Sequence, residues 1–77
     1  MVKEYIIMLD PRDGRSAHEI ESIAIASGDY RRLFDGSIAV YSDKDIEGIR
    51  ARVLSIIGRQ KTYLICESAR VVAEGDI

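Results

Sequence analysis

Tyr5-Ile6-Ile7-Met8-Leu9-Asp10 is the stretch on which the fold turns. Successive side chains of a β-strand point to opposite sides, so a strand covered by helices on one side and wetted on the other alternates apolar with polar residues. Tyr5 to Leu9 is apolar at every position. Both sides of this strand therefore need cover. In a chain of 77 residues with two helical patterns, the side that the helices leave open is most simply covered by a second copy of the same chain.

Working outward, Ser16-Ala17-His18-Glu19 has the spacing of a capping box, with Ser16 as N-cap. Ala17, Ile20, Ile23 and Ala24 then recur on one face, which predicts a helix from about Ser16 to Ser27, closed by Gly28. A strand-like run, Tyr30-Arg31-Arg32-Leu33-Phe34, is separated from Ser37-Ile38-Ala39-Val40-Tyr41 by Asp35-Gly36, a favoured pair for a hairpin turn. A second helix opens at Ser42 or Asp43. Its core stripe is Ile46, Ile49, Val53, Ile56 and Ile57, it ends at Gly58, and Glu47, Arg50 and Arg52 lie opposite the stripe. Lys61 to Glu67 reads as the last firm strand, and Ala69 to Ala73 as a possible short fifth strand.

The order β-α-β-β-α-β places both helices on one face of a four-stranded antiparallel sheet, the ferredoxin-like α+β arrangement, in a single domain spanning 1–77. With 47% hydrophobic and 31% charged residues, the composition is that of an ordered globular protein. There is no charged leader with an apolar core and no apolar run of ~18 residues, so a cytoplasmic protein with no membrane partner is expected. The single cysteine, Cys66, falls in an apolar strand pattern and is expected in the core. No glycine array of the P-loop or dinucleotide type is present and CxxC is absent, which removes the corresponding cofactor readings.

Few residues remain to carry chemistry. Asp10 follows the first strand directly. Two such carboxylates meeting at a twofold axis would suit Mg²⁺, but the turn reading stands ahead of it, since Asp10-Pro11-Arg12-Asp13-Gly14 has Asp, Pro and Gly where a turn wants them. His18, the only histidine, falls in the first turn of a helix and is expected to be exposed and neutral in role. Arg12, Arg15, Arg31 and Arg32 are the candidates for contacts to a nucleic-acid backbone, because arginine makes two-pronged hydrogen bonds to phosphate. Their alternative is a set of solvated, balanced charges, and the net charge of -2 gives no overall attraction to phosphate. Tyr5 and Tyr41 sit where an RNA-recognition sheet would stack bases, but the basic-Gly-aromatic signature of such sheets is missing.

The run Glu4 to Asp10, the segment Tyr30 to Tyr41, then Asp45-Ile46-Glu47-Gly48-Ile49-Arg50 and Lys61-Thr62-Tyr63-Leu64-Ile65 resemble the SinR-like branch of the small CRISPR-associated "Cas-two" proteins. That resemblance implies a homodimer packed sheet to sheet, with Asp10 near the twofold axis. Residues Tyr5, Ile7 and Leu9 with Tyr63 and Ile65 are then expected at the dimer interface. In that family an aspartate in this place serves metal-dependent nuclease activity in some members, while others hold DNA for an integrase. Three readings follow. The first is a homodimeric binding or scaffold module, with nucleic acid as a candidate partner. The second is a Mg-dependent nuclease using Asp10, and the third is a small protein inhibitor acting through an acidic helix face.

Overall fold

The computed structural model describes residues 2–10, 12, 15–34, 36–58 and 62–68. Its elements are β1 (Lys3–Leu9), α1 (Ser16–Ser27), β2 (Asp29–Arg32), β3 (Ser37–Ser42), α2 (Ile46–Ile57) and β4 (Tyr63–Ser68). All strand pairs are antiparallel, in the order β2-β3-β1-β4. This is the ferredoxin-like α+β fold expected from the element order.

The register fixes which side chains share a face, since directly opposed residues point the same way. Tyr5 lies opposite Val40 and Glu67, Ile7 opposite Ile38 and Ile65, and Leu9 opposite Tyr63. Tyr5, Ile7, Ile38 and Val40 are at most 1% exposed, and they form one core with Ile20, Ile23 and Ala24 of α1 and Ile49, Val53 and Ile57 of α2. Both helices therefore cover the same side of the sheet. The Tyr5 hydroxyl is the polar end of this core, donating 2.6 Å to the Lys44 carbonyl and so tying β1 to the loop that enters α2. Arg52 of α2 donates 2.6 Å to the Ala26 carbonyl, one of the orphaned acceptors in the last turn of α1.

Local signals held in part. The Ser37 N–H donates to the Phe34 carbonyl at 2.9 Å, closing a turn about the Asp-Gly pair in which Gly36 has φ +77°, a region open to glycine at little cost. Asp35 itself lies outside the described residues. α2 starts later than expected. Its N-cap is Asp45, whose carboxylate accepts from the Gly48 N–H at 2.8 Å, and at its other end Gly58 has φ +81° and donates to the Leu54 carbonyl.

The capping box at Ser16 does not form. Arg15 occupies the N-cap position, and the buried Ser16 hydroxyl donates instead to the Asp10 carbonyl, fastening the end of β1 to the start of α1. Ala17 and Ile46, expected in the core stripes, are exposed because each stripe is narrower than its run of apolar residues. β2 ends at Arg32 rather than Phe34, and β4 runs from Tyr63 to Ser68. The proposed fifth strand, Ala69 to Ala73, lies outside the described residues.

Candidate functional site

The side of the sheet away from the helices is built from the alternate residues of each strand. Three rows of opposed residues order it. Asp29, Tyr41, Glu4 and Ser68 form a polar row at one end. Next come Arg31, Ala39, Ile6 and Cys66, and then Ser37, Met8 and Leu64. Met8 is 44% and Leu64 50% exposed, Cys66 is exposed and Ile6 half-buried. The apolar side chains of this open face are thus gathered on the neighbouring strands β1 and β4, while its β2 and β3 half is polar or small.

This arrangement corrects the expected interface. Tyr5, Ile7 and Leu9 are core residues beneath the helices, and Tyr63 and Ile65 pack against that core. The residues that can meet a partner across the open face are their neighbours in sequence, Ile6, Met8, Leu64 and Cys66. Cys66 is likewise moved from the expected core to the surface. A strand apolar at every position does not say which alternate set faces the helices, and a slip of one residue exchanges the two sets. The one local hint was in β3, where bulky Ile38 and Val40 alternate with the small Ser37 and Ala39.

At the polar end, the Glu4 carboxylate beside Tyr41, together with partial burial, holds the Tyr41 phenol above its ordinary range, and Arg31 pulls the other way. Tyr41 is therefore engaged by its own neighbours in a charged row. Tyr5, its expected companion for base stacking, is buried under the helices, where desolvation raises its phenol pKa.

Asp10 serves the turn. Its Oδ1 accepts from the Arg12 backbone N–H at 3.0 Å and from Arg12 Nε at 3.0 Å, and its Oδ2 accepts from Arg12 Nη2 at 2.9 Å. These bonds hold the Asp10 carboxyl below the usual carboxylate range. Both oxygens are thus occupied by a guanidinium within the same loop. Among the described residues no three His, Cys, Asp or Glu side chains gather as a metal site. Among the described residues of one chain, no other metal-binding side chains gather with Asp10 to fit a Mg²⁺ centre.

The four arginines do not share one surface. Arg12 and Arg15 lie where β1 hands over to α1, and Arg12 is paired with Asp10. Arg32 is on the helix side of β2 in an ion pair with Glu21 of α1, whereas Arg31 is on the open face. His18 is exposed, as expected. A groove of about 440 Å³ runs along the outer side of α2, lined by Glu47, Arg50, Ala51, Leu54 and Ser55. The helices do not present the acidic face assumed for an inhibitor. On α2, Glu47 lies 3.5 Å from Arg50, whose Nε also donates 3.1 Å to the Tyr63 hydroxyl, and on α1 Glu19 is buried while Glu21 is taken up by Arg32.

No helix among the described residues is long and apolar enough to cross a membrane. No family model matches the chain, and no curated protein matches it.

Proposed function

We infer that this protein is a self-associating binding or scaffold module in which two copies pack their open sheet faces together, with no catalysis of its own. The observation that carries this is the apolar set of exposed Met8, Leu64 and Cys66 with half-buried Ile6, on a sheet whose other face already has a full core of its own. Two such faces would pack about 10 Å apart with their side chains interleaved, removing that set from water on both sides. The likeness of the sequence to the SinR-like branch supports the same geometry, since it implies homodimers packed sheet to sheet. A nucleic-acid contact, if it accompanies this role, falls to Arg12 and Arg15 at the end of β1.

Sedimentation velocity of the wild type and of Leu64→Glu tests the reading. The wild type sediments as an assembly at micromolar concentration. Leu64→Glu, which would bury a charge against a second apolar face, sediments as a smaller species with its circular dichroism unchanged. A wild type that stays a single chain across the concentration range overturns the proposal. For the nucleic-acid contact, binding of an oligonucleotide must weaken steeply with salt and must weaken again in Arg12→Ala.

A further inference from the structure

The two outer strands of the sheet differ in how they are guarded. β2 is four residues long and carries Asp29, Arg31 and Arg32, a short charged edge of the kind that discourages strand addition. β4 is six residues long, and its only charge is Glu67. One oxygen of that carboxylate is held by β1. Glu67 Oε1 lies 3.4 Å from Lys3 Nζ and 3.5 Å from the Tyr5 hydroxyl, both on β1. β4 pairs with β1 on one side; on its other side no strand pairs with it among the described residues, and Tyr63–Ser68 carries no lysine, arginine or proline to turn a further strand away.

Size gives the second observation. Four strands about 4.8 Å apart and about 20 Å long offer a footprint of roughly 400 Å². A stable interface removes ~800 Å² of accessible surface, counted over the contours of the side chains rather than over a flat footprint, from each partner. The apolar residues of the open face are moreover off-centre, on β1 and β4. A copy added at the β4 edge by a twofold axis normal to the sheet would bring two such patches side by side and make one continuous apolar face about twice as large as either.

From these observations we propose that two copies of this chain join through their β4 edges, antiparallel, into one eight-stranded sheet, and that two of these sheets then pack by their open faces. The inference rests on the open-face reading above. The register follows from chemistry. A twofold axis at Ile65 sets Leu64 against the partner's Cys66 on the open face, apolar against apolar. On the helix side it sets Tyr63 against the partner's Glu67. The Tyr63 oxygen already accepts from Arg50, which leaves its own proton to donate to that carboxylate. An axis at Cys66 would instead set Ile65 against Glu67 and Leu64 against Ser68, and loses both matches. The complete assembly has four chains.

Amide hydrogen exchange combined with sedimentation velocity tests this, using the wild type and Met8→Glu, a substitution on the open face of β1 that leaves the β4 edge untouched. The expected result is a four-chain wild type and a two-chain Met8→Glu. In both, the β4 amides that point away from β1 exchange about tenfold or more slowly than the free edge of a single chain. If Met8→Glu is a single chain whose outward β4 amides exchange freely, edge pairing is overturned and the face-to-face reading stands. If wild type and Met8→Glu are both two-chain particles with β4 protected, edge pairing stands and the face-to-face reading falls. A single-chain wild type overturns both.

Discussion

The two faces of this sheet are made by the same strands, from residues that differ only in being odd or even in number, and they have opposite fates. On β1, Tyr5, Ile7 and Leu9 are sealed under two helices, while Ile6 and Met8 stay on the open side. On β4, Tyr63 and Ile65 pack against the core while Leu64 and Cys66 face out. Hydropathy does not separate the two sets. What separates them is the number of helices available, because two helices cover one face of four strands and leave the other to be covered by something else. The helix side is therefore where this chain holds its stability, and the open side is the face proposed above for contact.

The sharpest way to break that contrast is to cut equally into both faces. Ile7→Ala removes a fully buried side chain and costs about 2–5 kcal/mol of stability, whereas Met8→Ala changes it by under about 1 kcal/mol. Urea unfolding of dilute protein measures both, and equal losses would mean that the two faces are equally buried within one chain. The next largest effect lies at the polar end of the core. Tyr5→Phe keeps the ring but leaves the Lys44 carbonyl without its donor, a loss of about 1 kcal/mol read from the same unfolding curves.

On the open side the corresponding polar group is Tyr41, and its response is one of titration more than of stability. The folded Tyr41 phenol titrates above its ordinary value near 10.0. Its contribution to stability is therefore complete below that value and is lost as pH rises through the folded pKa. Glu4→Gln removes the largest cause of the shift, so the Tyr41 ring resonance followed by NMR should titrate at lower pH than in the wild type. No change would show that Tyr41 and Glu4 are not neighbours in solution.

The smallest effect belongs to the loop between the faces. Arg12 lowers the Asp10 pKa, so this contact stabilises above the ordinary aspartate value near 3.8 and fades as pH falls through the lowered one. Arg12→Ala should return the Asp10 carboxyl to its ordinary range in an NMR titration. Because Arg12 is 90% exposed at its side chain, global stability near neutral pH should hardly move.

Much of this was legible in the residues, and what was not has a common cause. Asp35-Gly36, Gly28 and Gly58 mark chain reversals and helix ends by conformations that few other residues take, so the order of elements could be read from them directly. Ser16 misled because the helix takes Arg15 as its N-cap, which puts Ser16 inside the first turn, where its hydroxyl donates to the Asp10 carbonyl that the fold brings to it across six residues. Asp10 read as a turn residue ahead of a metal ligand, and in the structure the guanidinium of Arg12 folds back on it two residues later. The arginines formed a plausible set on paper, but β2 sends Arg31 and Arg32 to opposite faces and Glu21 of α1 takes up one of them.

The sequence alone determined the six elements, their order and their turns, because each depends on residues within a few positions of one another. Only the tertiary structure decided which alternate residues of β1 and β4 face the helices. That choice is made by pairings such as Tyr5 with Glu67, between residues far apart in the chain. Where a strand is apolar on both sides, nothing local opposes a slip of one residue, and the packing of the whole sheet against its helices must settle it.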